Sequence, residues 1–241
     1  MKINNISKNF GGIKALEACS MEISSKKITS IIGPNGSGKT TLFNIISRLI
    51  KPDEGEIMFN EKNIISMEDF EVAKFGISRT FQEVRLFKNL NIQDHLEIAL
   101  AENSEYLFKS LAKKEKNKDD KIQEILDLVG LDKSVDSYVS DLSYGQRKLL
   151  DLAVSLAKPH SILLLDEPVA GVNPILRNKI KDILRALRKK GETIILIEHD
   201  MNFVMDLANY IYVLDYGKVI AHGLPKNIQR NKKVLEAYLG K

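Results

Sequence analysis

Residues 33–41 read GPNGSGKTT and directly follow the apolar run ITSII at 28–32. The run is rich in β-branched side chains, which favour a buried strand. The residues that follow position 41 carry apolar side chains at helical spacing. Three glycines between these two segments allow the backbone to curl tightly. The stretch therefore predicts a strand, a glycine-rich loop and a helix in succession.

The loop itself has the spacing G-x-x-x-x-G-K-[ST], which is typical of loops that bind nucleotide phosphates. In such loops the backbone N–H groups point at phosphate oxygens, and the next helix adds its free N–H groups and the positive end of its dipole. Lys39 supplies a mobile positive charge for the β- and γ-phosphates, and the Thr40 hydroxyl can ligate Mg²⁺. The competing interpretation is a flexible turn with an accidental lysine. The predicted phosphate site consists of Gly33, Pro34, Asn35, Gly36, Ser37, Gly38, Lys39, Thr40 and Thr41.

The size and composition of the chain are those of one large domain with its own core. It has 241 residues, of which 44% are apolar, and its single cysteine, Cys19, excludes an internal disulfide. No run approaches the ~20 apolar residues of a membrane span, and the N-terminus lacks the apolar core of a signal peptide. We therefore expect a cytosolic protein. The net charge of +4 is small, and its densest run, KKEKNKDDK at 113–121, is typical of a solvated helix or loop, or alternatively of a phosphate or lipid patch.

Further β-rich runs occur at 161–165 (SILLL), 193–197 (TIILI) and 210–214 (YIYVL). The first two are almost wholly apolar, which indicates strands buried on both faces, as in a parallel sheet. Helical patterns occupy 144–157 and 174–188, so the pattern predicts an α/β fold.

The segment 86–142 differs from the rest, because it has no buried-strand pattern but several helical segments and a charged loop. We interpret it as a helical lobe inserted into a single domain that spans 1–241.

Polar side chains follow two of the predicted strands, where ligands of parallel sheets collect. SILLL ends in Asp166 and Glu167, and TIILI ends in Glu198 and His199. Asp166 can hold Mg²⁺, Glu167 can act as a general base on a water molecule, and His199 can contact the γ-phosphate and that water. The alternatives are a common strand stop and a structural histidine. We expect purely structural roles for His95, His160 and His222.

Residues 142–146 read LSYGQ and lead into the helical pattern at 144–157. Ser143 and the Gly145 amide can cap this helix and bind an anion there, whereas the competing interpretation is a plain helix cap.

Taken in order, the phosphate loop, TFQ at 80–82, LSYGQ, ILLLDEP at 162–168 and EHD at 198–200 resemble the ATP-binding subunits of ABC transporters over essentially 1–240. The resemblance implies a P-loop NTPase fold, the ABC ATPase cassette, with a mainly parallel core sheet, an antiparallel β part and an inserted α-helical lobe. It also implies ATP and Mg²⁺ as cofactors.

Residue roles also follow from the resemblance. Phe10 is expected to stack on adenine, although a lone phenylalanine is otherwise a core residue. Gln82 is expected to touch Mg²⁺ and the attacking water. The resemblance thus implies Glu167, His199 and Gln82 as catalytic residues, and Thr40, Gln82 and Asp166 as metal ligands. Ser143, Gly145 and Gln146 are expected to close over ATP held by the opposite subunit, and VAGVN at 169–173 is expected to cross the dimer interface.

Two positions depart from the family pattern. Tyr144 stands where many members have glycine, and Asn173 stands where many have aspartate. Asparagine keeps the helix-capping ability of aspartate but loses its charge. These departures raise the question of how strongly the two ATP sites communicate.

The closer resemblance is to the larger ATP-binding subunit of branched-chain amino-acid importers. It rests on RTFQEVRLF at 79–87, SYGQRKLLDLA at 143–153, DEPVAGVNP at 166–174 and IEHDMNFVM at 197–205. ATPase subunits for urea or amide uptake and for lipopolysaccharide export are similar and remain alternatives.

The resemblance also implies the partners of the chain. They are a second ATP-binding subunit (a copy or a paralogue), two membrane permease subunits and, indirectly, a solute-binding protein, at the inner face of the cell membrane. Each permease is expected to place a short helix in a groove near Gln82 and residues 83–100. A nucleic-acid-handling ATPase is a further alternative, but no coiled-coil insertion or basic face is visible, so we expect no nucleic acid.

Overall fold

The computed structural model describes residues 1–101 and 116–239. In chain order its strands are β1 (Lys2–Phe10), β2 (Ile13–Glu22), β3 (Ile28–Ile32), β4 (Glu54–Phe59), β5 (Lys62–Asn63), β6 (Ile77–Arg79), β7 (Ile162–Asp166), β8 (Ile194–Ile197), β9 (Tyr210–Asp215) and β10 (Lys218–Gly223). Its α-helices are α1 (Lys39–Ile46), α2 (Asp69–Lys74), α3 (Ile92–Leu100), α4 (Lys116–Val129), α5 (Tyr144–Ala157), α6 (Pro174–Lys189), α7 (Met201–Leu207), α8 (Pro225–Gln229) and α9 (Lys232–Leu239). Two short 3₁₀ helices cover Ile64–Ser66 and Val139–Asp141.

The central sheet has six strands in the order β10-β9-β3-β8-β7-β6. The five strands from β9 to β6 run parallel, and only β10 pairs antiparallel, at the edge beside β9. A second sheet, in the order β2-β1-β4-β5, is antiparallel throughout. The predicted α/β class, with a mainly parallel core sheet and an antiparallel part, is therefore confirmed.

The middle of the central sheet is apolar on both faces, as its sequence predicts. In β8, Ile194 and Leu196 belong to one buried cluster, and Ile195 and Ile197 belong to the other. This division follows from the alternation of side chains along a strand. Since β3, β8 and β7 are parallel neighbours, their carboxyl ends lie at the same sheet edge.

Helices dominate the described residues between β6 and α5. Among the described residues of 86–142 there are α3, α4 and one 3₁₀ helix, but no strand beyond an isolated bridge between Asn91 and Tyr138. The limits of the lobe stay a prediction. Of the charged run at 113–121, residues from Lys116 onward form the start of α4, and the first three lie outside the described residues.

No helix in residues 1–101 and 116–239 has the length and apolar character needed to span a bilayer.

Candidate active site

The glycine-rich loop between β3 and α1 has a backbone that only glycine adopts readily. Gly33 and Gly38 have φ angles of +151° and +102°, and a side chain on either would collide with a backbone carbonyl, that of Leu214 or Ala15. Helix α1 begins at Lys39 with no side-chain cap, so its first N–H groups remain available. These groups and the helix dipole suit an anion.

Lys39 lies within the curve of this loop. Its ammonium group donates hydrogen bonds to the Gly33 and Pro34 carbonyls, both at 2.8 Å, and to Ser37 Oγ at 3.4 Å. The residue is 5% exposed, and burial lowers the pKa of its ammonium group. The positive charge is therefore held where phosphate oxygens are expected. Thr40 beside it is exposed.

Asp166, the last residue of β7, has one engaged and one free carboxylate oxygen. Its Oδ2 lies 3.0 Å from Arg79 Nη2, whereas its buried Oδ1 has no hydrogen-bond partner among the described residues. Burial raises the pKa of this carboxyl group, and the charge of Arg79 opposes the shift. A buried oxygen without a donor is suited to a cation, so the site fits the predicted Mg²⁺ ligand.

Three residues predicted to act together do meet around the carboxylate of Glu167. Gln82 Nε2 donates to Glu167 Oε2 at 3.0 Å, and His199 Nε2 lies 2.7 Å from Glu167 Oε1. Glu167 adopts a φ of +51°, which is uncommon for a residue with a side chain and is often found at functional sites. Both carboxylate oxygens are therefore oriented by neighbours.

A buried lysine lies directly behind this group. Lys148, on α5, donates hydrogen bonds to the Gln82 carbonyl at 2.9 Å and to the Glu167 carbonyl at 3.3 Å. Burial lowers the pKa of its ammonium group, and the nearby carboxylates of Asp151 and Glu198 oppose that shift.

Glu198 organises the backbone around the site. Its Oε1 accepts from the Val169 N–H at 2.9 Å, and its Oε2 accepts from the His199 N–H at 3.1 Å. Burial raises the pKa of its carboxyl group to about 7. The side chain thereby ties the loop that follows Glu167 to the segment that carries His199.

The LSYGQ segment forms a complete helix cap. Ser143 Oγ accepts from the Gln146 N–H at 3.3 Å, and Gln146 Oε1 accepts from the Ser143 N–H at 2.9 Å. The Tyr144 hydroxyl donates to the Ala170 carbonyl at 3.3 Å, and its ring packs against Gly171.

A cavity of about 410 Å³ lies between this cap and residues 171–173. The phosphate loop, at 34–37, lines a different cavity. Within one chain the helix cap and the phosphate loop therefore do not line the same cavity.

The remaining predicted residues have plain surroundings. Phe10 ends β1, is 44% exposed, and has the Lys8 ammonium 5.4 Å from its ring centroid, so it is not a core residue. Its contact with adenine stays a prediction.

Each of the three other histidines forms a hydrogen bond at 2.7 Å, as expected for structural residues. His95 bonds the Asn91 carbonyl, His160 bonds the Lys158 carbonyl, and His222 bonds the Tyr210 hydroxyl.

With this geometry in place, comparison with known proteins decides the family. A family model described as ABC transporter matches residues 16–170. The chain belongs to the ABC transporter family. A second model, described as branched-chain amino acid ATP-binding cassette transporter, matches 218–241.

Full-length relatives of this ABC ATPase agree with the assignment. A probable branched-chain amino acid transport ATP-binding protein LivG of Archaeoglobus fulgidus is 38% identical over 244 residues, covering 100% of this chain and 95% of that protein. The high-affinity branched-chain amino acid transport ATP-binding protein LivG of Escherichia coli is 34% identical over 248 residues, covering 100% and 97%.

Solved structures resemble the ABC ATPase over at least nine-tenths of its length. A nucleotide-free ATP-binding cassette from an ABC transporter has a TM-score of 0.87 at 34% identity and covers 100% of this chain and 98% of that one. A dimeric post-hydrolysis cassette bound to ADP and Pi has a TM-score of 0.81 at 28% identity and covers 93% and 98%.

Three residues of the ABC ATPase were missed by sequence reasoning. Arg79, Lys148 and Glu198 all contact predicted site residues. Each is a charged residue within one of the sequence motifs given above. This position within a motif is the signal by which the sequence could have identified it. The sequence predicts a role only for the residues that match the general family pattern.

Proposed function

We propose that this ABC ATPase powers the uptake of branched-chain amino acids. In this proposal it works with a second ATP-binding subunit and two membrane permeases at the cytoplasmic face of the membrane. The hydrolytic part rests on one observation, the placement of Gln82 and His199 on the two carboxylate oxygens of Glu167. The substrate class rests on similarity to the two LivG proteins over the full chain.

In the proposed reaction the loop amides and Lys39 bind the phosphates of ATP, and Glu167 accepts a proton from the attacking water. Gln82 and His199 keep the Glu167 carboxylate aimed at that water. Thr40, Gln82 and Asp166 Oδ1 would hold Mg²⁺, which neutralises charge on the β- and γ-phosphates when bound. The free oxygen of Asp166 supports this assignment.

A second subunit completes each site in the proposal. Ser143, Gly145 and Gln146 line the 410 Å³ cavity, whereas the phosphate loop lines another. The start of α5 in one chain would therefore cap the nucleotide bound by its partner. The dimeric cassette with ADP and Pi, which resembles this chain, supports such an arrangement.

A groove beside the site suits the permease. A cavity of about 380 Å³ is lined by Leu49, Phe70, Phe81 and Val154, with Arg79 and Asp151 also in its wall. Leu49 and Phe70 are 46% and 58% exposed. This apolar groove adjoins the segment that leads to Gln82, and we assign it to a short permease helix with one apolar face. In the described part of the chain none of its lining residues belongs to 83–100, so the predicted part of the groove at 83–100 stays a prediction.

The test starts from the tagged chain and the permeases that copurify with it, reconstituted in liposomes. With wild-type chain we expect ATP-dependent uptake of labelled leucine, and with Glu167→Gln we expect none. Glu167→Gln should still bind ATP but hydrolyse it at least ~10²-fold more slowly, because an amide cannot accept the water proton. Full turnover by this variant would contradict the general-base role. Uptake of urea instead of leucine, or salt-dependent binding of DNA by the pure chain, would favour an alternative function.

A further inference from the structure

Gln82 and Glu167 are joined twice in this structure. Their side chains meet directly, with Gln82 Nε2 3.0 Å from Glu167 Oε2. Their backbone carbonyls both accept from the same ammonium group, that of Lys148, at 2.9 and 3.3 Å. Lys148 therefore fixes the spacing between the two main-chain segments that carry the hydrolytic side chains.

The backbone of Glu167 needs such support. Its φ of +51° lies in the left-handed region, where a residue with a side chain is held by its surroundings. On its amino side the Glu167 N–H donates to the Ile197 carbonyl at 3.0 Å, which anchors it to β8. On its carboxyl side the Glu167 carbonyl accepts from the Ala170 N–H at 3.2 Å and from the Lys148 ammonium at 3.3 Å. Hydrogen bonds from a charged donor are roughly twice as strong as neutral ones, so the anchor from Lys148 is substantial.

The environment of Lys148 also argues against a merely solvated lysine. The residue is only 5% exposed, and its two hydrogen bonds go to main-chain carbonyls of the site. The carboxylates of Asp151 and Glu198 lie near enough to act on its charge. A buried cation is costly unless it is compensated, and here two hydrogen bonds to main-chain carbonyls do so.

We propose that Lys148 is a positioning residue for ATP hydrolysis, which holds the Gln82 and Glu167 backbones so that the Glu167 carboxylate is aimed at the attacking water. The inference rests on the proposed role of Glu167 as general base. The hydrogen bonds of Lys148 go to the Gln82 and Glu167 carbonyls, so we expect it to act on turnover and not on nucleotide binding.

The experiment compares wild-type chain with Lys148→Met, Lys148→Arg and Glu167→Gln. Methionine keeps the apolar stem but donates no hydrogen bond, whereas arginine keeps the charge and the donors. For Lys148→Met we expect kcat to fall about 10- to 100-fold while the ATP dissociation constant changes less than about twofold, as for an interaction made in the transition state. For Lys148→Arg we expect recovery to within about fivefold of wild-type kcat, because its donors can reach the same carbonyls.

Thermal unfolding of each variant separates positioning from simple support of the fold. If Lys148 only supports the fold, Lys148→Met lowers Tm but leaves kcat of the folded protein unchanged, and the proposal is overturned. If Lys148→Met does not fold, Lys148→Gln takes its place. Because its amide can keep one of the two hydrogen bonds, we expect a smaller fall in kcat at an unchanged ATP dissociation constant, and an unchanged kcat overturns the proposal. Arginine as slow as methionine at equal Tm would also overturn the proposal.

A double variant separates this inference from the proposed function. Since Lys148 acts through Glu167, adding Lys148→Met to Glu167→Gln should slow hydrolysis no further. A further loss of tenfold or more would overturn the positioning role. If Glu167→Gln itself keeps full turnover, the general-base role fails; if it is inactive while Lys148→Met is normal, only the inference about Lys148 fails.

Discussion

Arg79 and Asp166 form a buried ion pair, with Arg79 Nη2 3.0 Å from Asp166 Oδ2 and side chains that are 6% and 2% exposed. The same guanidinium donates to Asn44 Oδ1 and Ser47 Oγ, both at 2.8 Å. Arg79 thus ties the end of β6 to α1 and fixes one oxygen of Asp166, while the other oxygen has no hydrogen-bond partner in residues 1–101 and 116–239.

Removal of Arg79 is expected to destabilise the protein strongly. Arg79→Met leaves the Asp166 charge buried without a partner, which costs about 3–5 kcal/mol of unfolding free energy, measured by urea titration. Adding Asp166→Asn to this variant should recover part of the loss, because an amide needs no counter-charge. Additive destabilisation by the two changes would contradict the pairing.

Lys39 is expected to decide nucleotide affinity. Lys39→Met removes charge-assisted hydrogen bonds to the phosphates, worth about 1.5–3 kcal/mol, so the ATP dissociation constant should rise about 10- to 100-fold. A fluorescent ATP analogue measures this constant. Lys51→Met, a change at an exposed lysine after α1, is the control and should bind normally. Unchanged affinity of Lys39→Met would reject the phosphate site.

Phe10 is expected to contribute to binding and not to the rate at saturation. Phe10→Ala should weaken ATP binding by the ~1–3 kcal/mol typical of stacking between a base and an aromatic ring. Because its ring is 44% exposed, the free energy of unfolding should change little. A large loss of stability with normal ATP affinity would point to a packing role instead.

Ser143 is expected to act across the dimer. Ser143→Arg should leave ATP binding to the monomer nearly intact but block closure, because a bulky side chain fills the cavity at the start of α5. Mixing it with Lys39→Ala chains creates dimers with one site that carries both changes and one that carries neither. Some ATPase activity should therefore return on mixing. Full activity of Ser143→Arg alone would exclude the arrangement.

Asp151 is expected to make stability depend on pH. Burial raises the pKa of its carboxyl group to about 7, against an ordinary value of 3.8, although Lys148 opposes the shift. The folded chain therefore keeps a proton that the unfolded chain releases, so the stabilisation is complete below pH 3.8 and is lost as pH rises through about 7. In Asp151→Asn the fall in unfolding free energy over this range should be smaller. Asp132→Asn, at an exposed site, should behave as wild type.

The sequence predicted those parts of the fold and of the site that depend on the local pattern of apolar and polar residues. The almost wholly apolar runs of β7 and β8 identify buried parallel strands, and the polar residues after them must share one sheet edge. The contacts of Arg79 and Lys148 depend instead on side chains that reach partners 87 and 66 residues away. Helical or strand periodicity shows which face of an element is apolar, but it does not show which distant carbonyl or carboxylate a charged side chain meets.

Helix α5 carries two proposed functions one turn apart. Its first turn, at Ser143 and Tyr144, faces the cavity proposed for the nucleotide of the partner, and Lys148 in its second turn holds the Gln82 and Glu167 backbones of its own chain. A rigid helix cannot move at one end alone. We therefore expect that contact of the first turn with the partner's nucleotide alters the hydrolytic group of the same chain. The rate of hydrolysis at one site of a dimer should consequently depend on whether the other site holds ATP.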